Sequence, residues 1–121
     1  MYRSMMQVYV KNSDLAVPFY QKVFNAPVLV NALNAEGKAE HVELDIFGQV
    51  LAISESLESE TVTGNSMQFC LDFGEGKQEL VEKIIENLSD GGKFNYHGST
   101  DWSPLVADIV DKFGVRWCIF V

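Results

Sequence analysis

The chain has 121 residues, 47% hydrophobic and 21% charged, which is enough for one domain with a sizeable core. Its formal net charge of −8 excludes nucleic acid and anionic membranes as partners, because both need a basic surface to displace counterions. The two cysteines, Cys70 and Cys118, exclude a disulfide scaffold and a zinc motif, and are expected to be free thiols in a reducing compartment.

In chain order, Gln7 to Val10 reads as a first strand. Asn12 and Ser13 follow as candidate helix caps, with Asp14 in the favourable first turn. Leu15, Phe19 and Val23, flanked by Val17, Tyr20 and Phe24, predict a helix with a broad apolar face. Pro18 is expected to kink that helix or delay its start. Strands are predicted over Val28–Leu33, His41–Phe47 and Val50–Ser54, with a hairpin loop at Asn34–Lys38. Residues 56–65 are polar, lack periodicity and read as a linker.

The pattern then begins again. Met67, Phe69, Leu71 and Phe73 alternate with Gln68, Cys70 and Asp72, as on a half-buried strand. Residues 77–88 predict a helix with Leu80, Val81, Ile84, Ile85 and Leu88 on one face and Gly91-Gly92 as its stop. Strands are predicted over Lys93–His97, Leu105–Val110 and Val115–Val121. The expected fold is therefore α+β, one domain of two tandem βαβββ modules, residues 1–55 and 66–121. Two local matches support an internal repeat. Gln7–Val10 shares a polarity pattern with Gln68–Leu71, and Asp45-Ile46-Phe47-Gly48 matches Asp111-Lys112-Phe113-Gly114. No apolar run approaches the roughly 20 residues a membrane span requires, and residues 1–6 lack a signal-peptide core, so a cytoplasmic location is expected.

Several phrases in this layout are shared with one family. They are Phe19-Tyr20-Gln21-Lys22-Val23-Phe24, His41-Val42-Glu43-Leu44, Gly91-Gly92-Lys93, and the tail from Trp102 through Phe113-Gly114-Val115-Arg116-Trp117. With them the chain resembles the vicinal oxygen chelate superfamily of glyoxalases, bleomycin-resistance proteins and extradiol dioxygenases, and within it the PhnB-like branch. Lys112, where the family usually has proline, and Ser103-Pro104-Leu105 depart from its pattern.

The resemblance implies curled sheets whose inner faces line a cup, with helices on the outer faces. Alternation then sends Gln7, Tyr9, His41, Glu43, Asp45, Gln68, Cys70, Asp72, Arg116, Cys118 and Phe120 toward the cup. It also implies a homodimer. Metal-using members draw one ligand from the first and one from the last strand of each module. Position by position these fall on Gln7 and Gln68 and, counted from the Phe-Gly turns, on Ala52 and Cys118. Two carboxamides, a methyl and a thiol are a poor set for a hard divalent ion. No metal and no cofactor are expected.

The function expected is binding of a small organic molecule in a metal-free cup. Glu43, Asp45 and Asp108 would make that cup acidic and favour a cationic ligand, as in sequestration of basic antibiotics. Trp102 is a candidate stacking aromatic, and Cys70 and Cys118 would lie on neighbouring strands. The alternatives are a lyase, isomerase or dioxygenase with an unconventional metal or with His41 and Glu43 as its acid–base pair, and a non-catalytic structural dimer whose cup is filled by Trp102 and Phe120. His97 reads as a surface residue.

Overall fold

Apolar faces spaced for strands and helices gather the chain into two units, residues 1–61 and 62–121. The structure is a computed structural model that describes residues 1–60, 62 and 64–121. Of the stretch read as a linker, Thr61 and Thr63 lie outside the described residues.

The first unit runs β1 (Met6–Val10), α1 (Ser13–Phe24), β2 (Val28–Leu33), β3 (Ala39–Ile46) and β4 (Gln49–Glu55). Its sheet has the order β1-β4-β3-β2, with β1 parallel to β4 and the other pairings antiparallel. The second unit repeats this with β5 (Phe69–Asp72), α2 (Gln78–Leu88), β6 (Lys93–Gly98), β7 (Val106–Val110) and β8 (Arg116–Phe120), in the order β5-β8-β7-β6. The expected α+β fold of duplicated βαβββ modules is thus present. Among the described residues, no helix is long and apolar enough to cross a membrane.

In each sheet one face packs on the helix. Val8, Val10, Val42, Leu44, Leu51 and Ile53 are buried beneath α1, which contributes Ala16, Tyr20, Val23 and Phe24. Those helical residues recur at intervals of three and four, so they form one stripe. Leu15, expected on that stripe, is instead exposed. In the second unit Val81, Ile84, Ile85 and Leu88 of α2 are buried, as are Ala107, Ile109, Trp117 and Ile119 of the sheet. Leu80 sits at the edge of the helix's apolar face, and Met67 lies outside β5 and is exposed.

Three expectations are corrected. First, α1 starts at Ser13 and runs through Pro18. Proline removes one backbone donor, while a remote carboxylate secures the helix start. Glu55, at the end of β4, accepts from Asn12 N at 3.2 Å, Ser13 N at 2.9 Å and Ser13 Oγ at 2.8 Å. Asn12 itself is left-handed and makes no side-chain cap.

Second, the two Asp-x-Phe-Gly phrases have different geometries. Phe47 and Gly48, both at positive φ, form a two-residue hairpin turn between Ile46 and Gln49. Asp45 is still in the strand and accepts from Gly48 N at 2.6 Å. Asp111 to Val115 all lie between β7 and β8. There the buried Asp111 carboxylate accepts from Phe113 N, Val115 N and Trp117 Nε1 at 2.8, 3.1 and 2.9 Å.

Third, the strand register moves the repeat by two residues. Ala52 is partnered by Gln7 and Glu43; Cys118 is partnered by Cys70 and Asp108. Cys70, not Gln68, is therefore the counterpart of Gln7. A shift of two keeps the same face, so the face assignment survives while the pairing of equivalent positions does not.

Candidate functional site

The predicted site residues fall into two clusters, one on the open sheet face of each unit. In the first unit, Gln7 and Tyr9 on β1, His41 and Glu43 on β3 and Ser54 on β4 share a face. Glu43 is only 2% exposed, an unusual place for a carboxylate. Two partners hold it there. The Arg3 guanidinium grips it with both amino groups, Nη2 at 3.0 Å from Oε2, and His41 Nε2 lies 3.0 Å from the same oxygen. Hydrogen bonding to Arg3 holds the Glu43 carboxyl down at about 2, against the cost of burial and with help from His41. An ionised carboxylate only accepts, so His41 Nε2 carries the hydrogen and Nδ1 is left to face other groups. Strand neighbours two apart are roughly 7 Å apart at Cα, yet these side chains span that gap and touch. Gln7 Nε2 donates to Ser54 Oγ at 3.2 Å and to Val8 O at 3.0 Å.

Beside this cluster lies a recess of about 830 Å³ lined by Gln7, Tyr9, Asn34, Ala39, Glu40, His41, Ser54, Glu55, Ser56, Leu57 and Glu58. Three of these residues are acidic, and none of them is lysine or arginine. Tyr9, 68% exposed, presents its ring on the same side. Glu55 serves the α1 start as described; Glu40, Leu57 and Glu58 are exposed.

In the second unit Gln68, Cys70, Asp108, Arg116 and Cys118 form the counterpart cluster. Arg116 binds Asp108 through Nε at 3.1 Å and Nη2 at 2.8 Å, and its Nη1 donates to Asn65 O at 3.0 Å. Asp108 also accepts from Gln68 Nε2 at 2.9 Å and Asn95 Nδ2 at 3.3 Å. Hydrogen bonding from Arg116 lowers the Asp108 carboxyl from its ordinary range. The Cys70 thiol donates to Gln68 Oε1 at 3.8 Å, and burial, then the proximity of Cys70, pushes Cys118 up to about 11.

The source of acidity expected from Glu43, Asp45 and Asp108 is therefore corrected. Glu43 and Asp108 are each neutralised by an arginine, and Asp45 holds the Phe47-Gly48 turn. Among the described residues, Glu40 and Glu58 of the recess have no ion-pair partner. Trp102 is 63% exposed and meets Phe120 edge-on at 5.1 Å. His97 is exposed on β6, its ring stacked on Phe94 at 4.7 Å. Arg3, Glu40 and Glu58 were not singled out by sequence reasoning, and the helix-capping role of Glu55 and the turn-holding role of Asp111 were not read from it. Arg3 and Glu55 act on residues about forty positions away, and nothing local marks such a pairing.

Solved structures share this fold over nearly the full chain. A PhnB protein from Bacillus cereus is 18% identical, with 98% of each chain covered and a TM-score of 0.82. The fosfomycin resistance protein FosX from Listeria monocytogenes is 16% identical over 98% of this chain and 91% of its own, with a TM-score of 0.68. A variant of that FosX was solved with Mn(II) and 1S,2S-dihydroxypropylphosphonic acid. TioX from Micromonospora is 20% identical over 97% of both chains, with a TM-score of 0.64. No family model and no curated protein matches the chain. The chain thus has the fold of the vicinal oxygen chelate superfamily, with PhnB-like proteins among its structural neighbours, as the sequence phrases implied.

That fold raises the question of a divalent metal. At the register positions, the first unit offers the Gln7 amide and the Ala52 methyl, and the second offers the two thiols of Cys70 and Cys118. Among the described residues, no group of three or more His, Cys, Asp or Glu side chains is placed to hold an ion. Hard divalent ions require several oxygen donors, most of them charged. The carboxylates nearest these positions, Glu43 and Asp108, are already held by arginines. The residues do not fit such an ion.

Proposed function

We propose that the chain binds a small, positively charged organic molecule in the recess of its first unit, with no metal ion in the site. The composition of the recess carries this reading. Its lining has three carboxylates, no lysine or arginine, and the exposed Tyr9 ring, whose face attracts a cation. Gln7, His41 and Ser54 supply polar groups on the sheet floor, held in place by their own hydrogen bonds. A recess of this size suits a drug-sized ligand or part of a larger one. Sequestration of a basic antibiotic fits this chemistry.

A homodimer belongs to the same reading. β2 is a sheet edge with Val28, Leu29, Val30 and Leu33 all exposed, and such edges favour pairing with another chain. So does a cytoplasmic setting, where Cys70 and Cys118 stay reduced.

Native mass spectrometry and calorimetry against a cationic glycopeptide test the proposal. One ligand per chain is expected, with affinity weakened by about twofold to thirtyfold in the Glu40→Gln/Glu58→Gln double variant, since each exposed charge contributes about 0.2–1 kcal/mol. No binding at high micromolar ligand, or an affinity indifferent to the double variant, would sink it. The contact between His41 and Glu43 favours one further reading, acid–base chemistry at His41 Nδ1. Turnover of a bound ligand that is lost in His41→Ala while binding persists would select it.

A further inference from the structure

We infer that Cys70 and Cys118 form a two-thiolate site for a soft monovalent cation, of which Cu(I) is the representative. This goes beyond the ligand proposed for the first unit and uses different residues. It starts from the mismatch already described, because positions unfit for a hard ion hold the two softest donors in the chain.

Cys70 and Cys118 are register partners on the parallel strands β5 and β8. Their side chains therefore leave the same sheet face side by side, about 4.8 Å apart at the backbone. Disulfides span Cα separations of about 4.4–6.8 Å, so oxidation would close the same pair, and the cation site belongs to the reduced chain. Two metal–thiolate bonds of about 2.3 Å laid end to end span about 4.6 Å, which matches the strand spacing. A linear two-coordinate ion fits this spacing when both thiols are reduced. Zinc would require two further Cys or His ligands, and among the described residues none joins them.

The surroundings suit the resulting charge. Two thiolates and one monovalent cation carry a net charge of −1. The Arg116 guanidinium, anchored on Asp108 and Asn65 O, lies close enough to interact with both sulfurs. Cys70 is exposed, so an ion reaches the site from solvent, while the half-buried Cys118 keeps one side dry. Binding breaks two S–H bonds, forms two S–Cu bonds and passes two protons to solvent, with no change in the oxidation state of copper.

The test is anaerobic titration of the reduced full chain with Cu(I) buffered by a chromogenic chelator. One equivalent is expected to transfer to the protein, and Cys70→Ser and Cys118→Ser are each expected to weaken binding by about a hundredfold or more. Near-ultraviolet circular dichroism of the exposed Cys70→Ser variant controls for folding. Failure to compete with the chelator, full affinity in Cys70→Ser, or tighter binding of zinc than of Cu(I) would each overturn the inference. Calorimetry with the cationic glycopeptide on Cys70→Ser is a separate readout, because that ligand concerns only the first unit.

Discussion

The two units share one strand frame and answer it with different contents. In both, a carboxylate on the third strand sits opposite the fourth-strand position and is held by two nitrogens of an arginine: Glu43 by Nη1 and Nη2 of Arg3, Asp108 by Nε and Nη2 of Arg116. The arginines come from different places. Arg3 is forty residues from its partner, before the first strand, whereas Arg116 lies on β8, directly beside β7. At the fourth-strand position the first unit has the methyl of Ala52 and the second the thiol of Cys118. Duplication therefore preserves the backbone and the need to neutralise a carboxylate, while the chemistry displayed on each face diverges. One face stands beside an acidic recess; the other carries a pair of neighbouring thiols.

The largest expected effect separates the cores. Trp117 occupies the register position of Leu51 and is wholly buried, its indole N–H donating to Asp111. Trp117→Ala should cost about 3–5 kcal/mol, the usual range for deleting a buried aromatic. Urea denaturation measures it, and a loss below about 1 kcal/mol would show that the second unit does not depend on this anchor. Trp117→Phe keeps most of the bulk and isolates the bond to Asp111.

Next comes the helix start. Glu55 caps α1 from β4, while the residue at the matching place after β8 is Val121 and α2 has no side-chain cap. Glu55→Ala should cost about 1 kcal/mol, as loss of a cap generally does. An unchanged thermal midpoint would mean that α1 is held by its apolar stripe alone.

The smallest effect is a pH dependence. The folded-state pKa of Glu43 is depressed to about 2 from an ordinary 4.5. Its contribution is complete above the ordinary value and is lost as pH falls from about 4.5 toward 2, where the unfolded chain binds the extra proton. Glu43→Gln should flatten that part of the acid-denaturation curve. An identical slope in wild type and variant would place the acid sensitivity elsewhere, with Asp108, which shifts in the same direction, the next residue to test.

The fold was legible because periodicity records burial. Val8, Val42, Leu44, Ile84 and Trp117 stand at the spacings that strands and helices require. The face assignment was legible for the same reason, and it placed Gln7, Tyr9, His41, Glu43, Cys70 and Cys118 correctly on the open faces. What local pattern does not encode is pairing at long range. The clamp of Arg3 on Glu43 and the cap of Glu55 on α1 depend on register between distant strands. So does the identity of Gln7 with Cys70 rather than Gln68. The repeated Asp-x-Phe-Gly phrase misled for a related reason: the same three residues fit a two-residue hairpin in one unit and a longer turn in the other, because Asp45 remains in its strand and Asp111 does not. The recess glutamates escaped notice because exposed acidic residues look alike in sequence until the backbone brings them together.

The central claim is that an organic cation binds without a metal ion. Calorimetry of the cationic glycopeptide with chelator-stripped protein, repeated after adding manganese, tests it most directly. The account predicts the same affinity in both titrations. Binding that disappears on chelation and returns with the metal would contradict it.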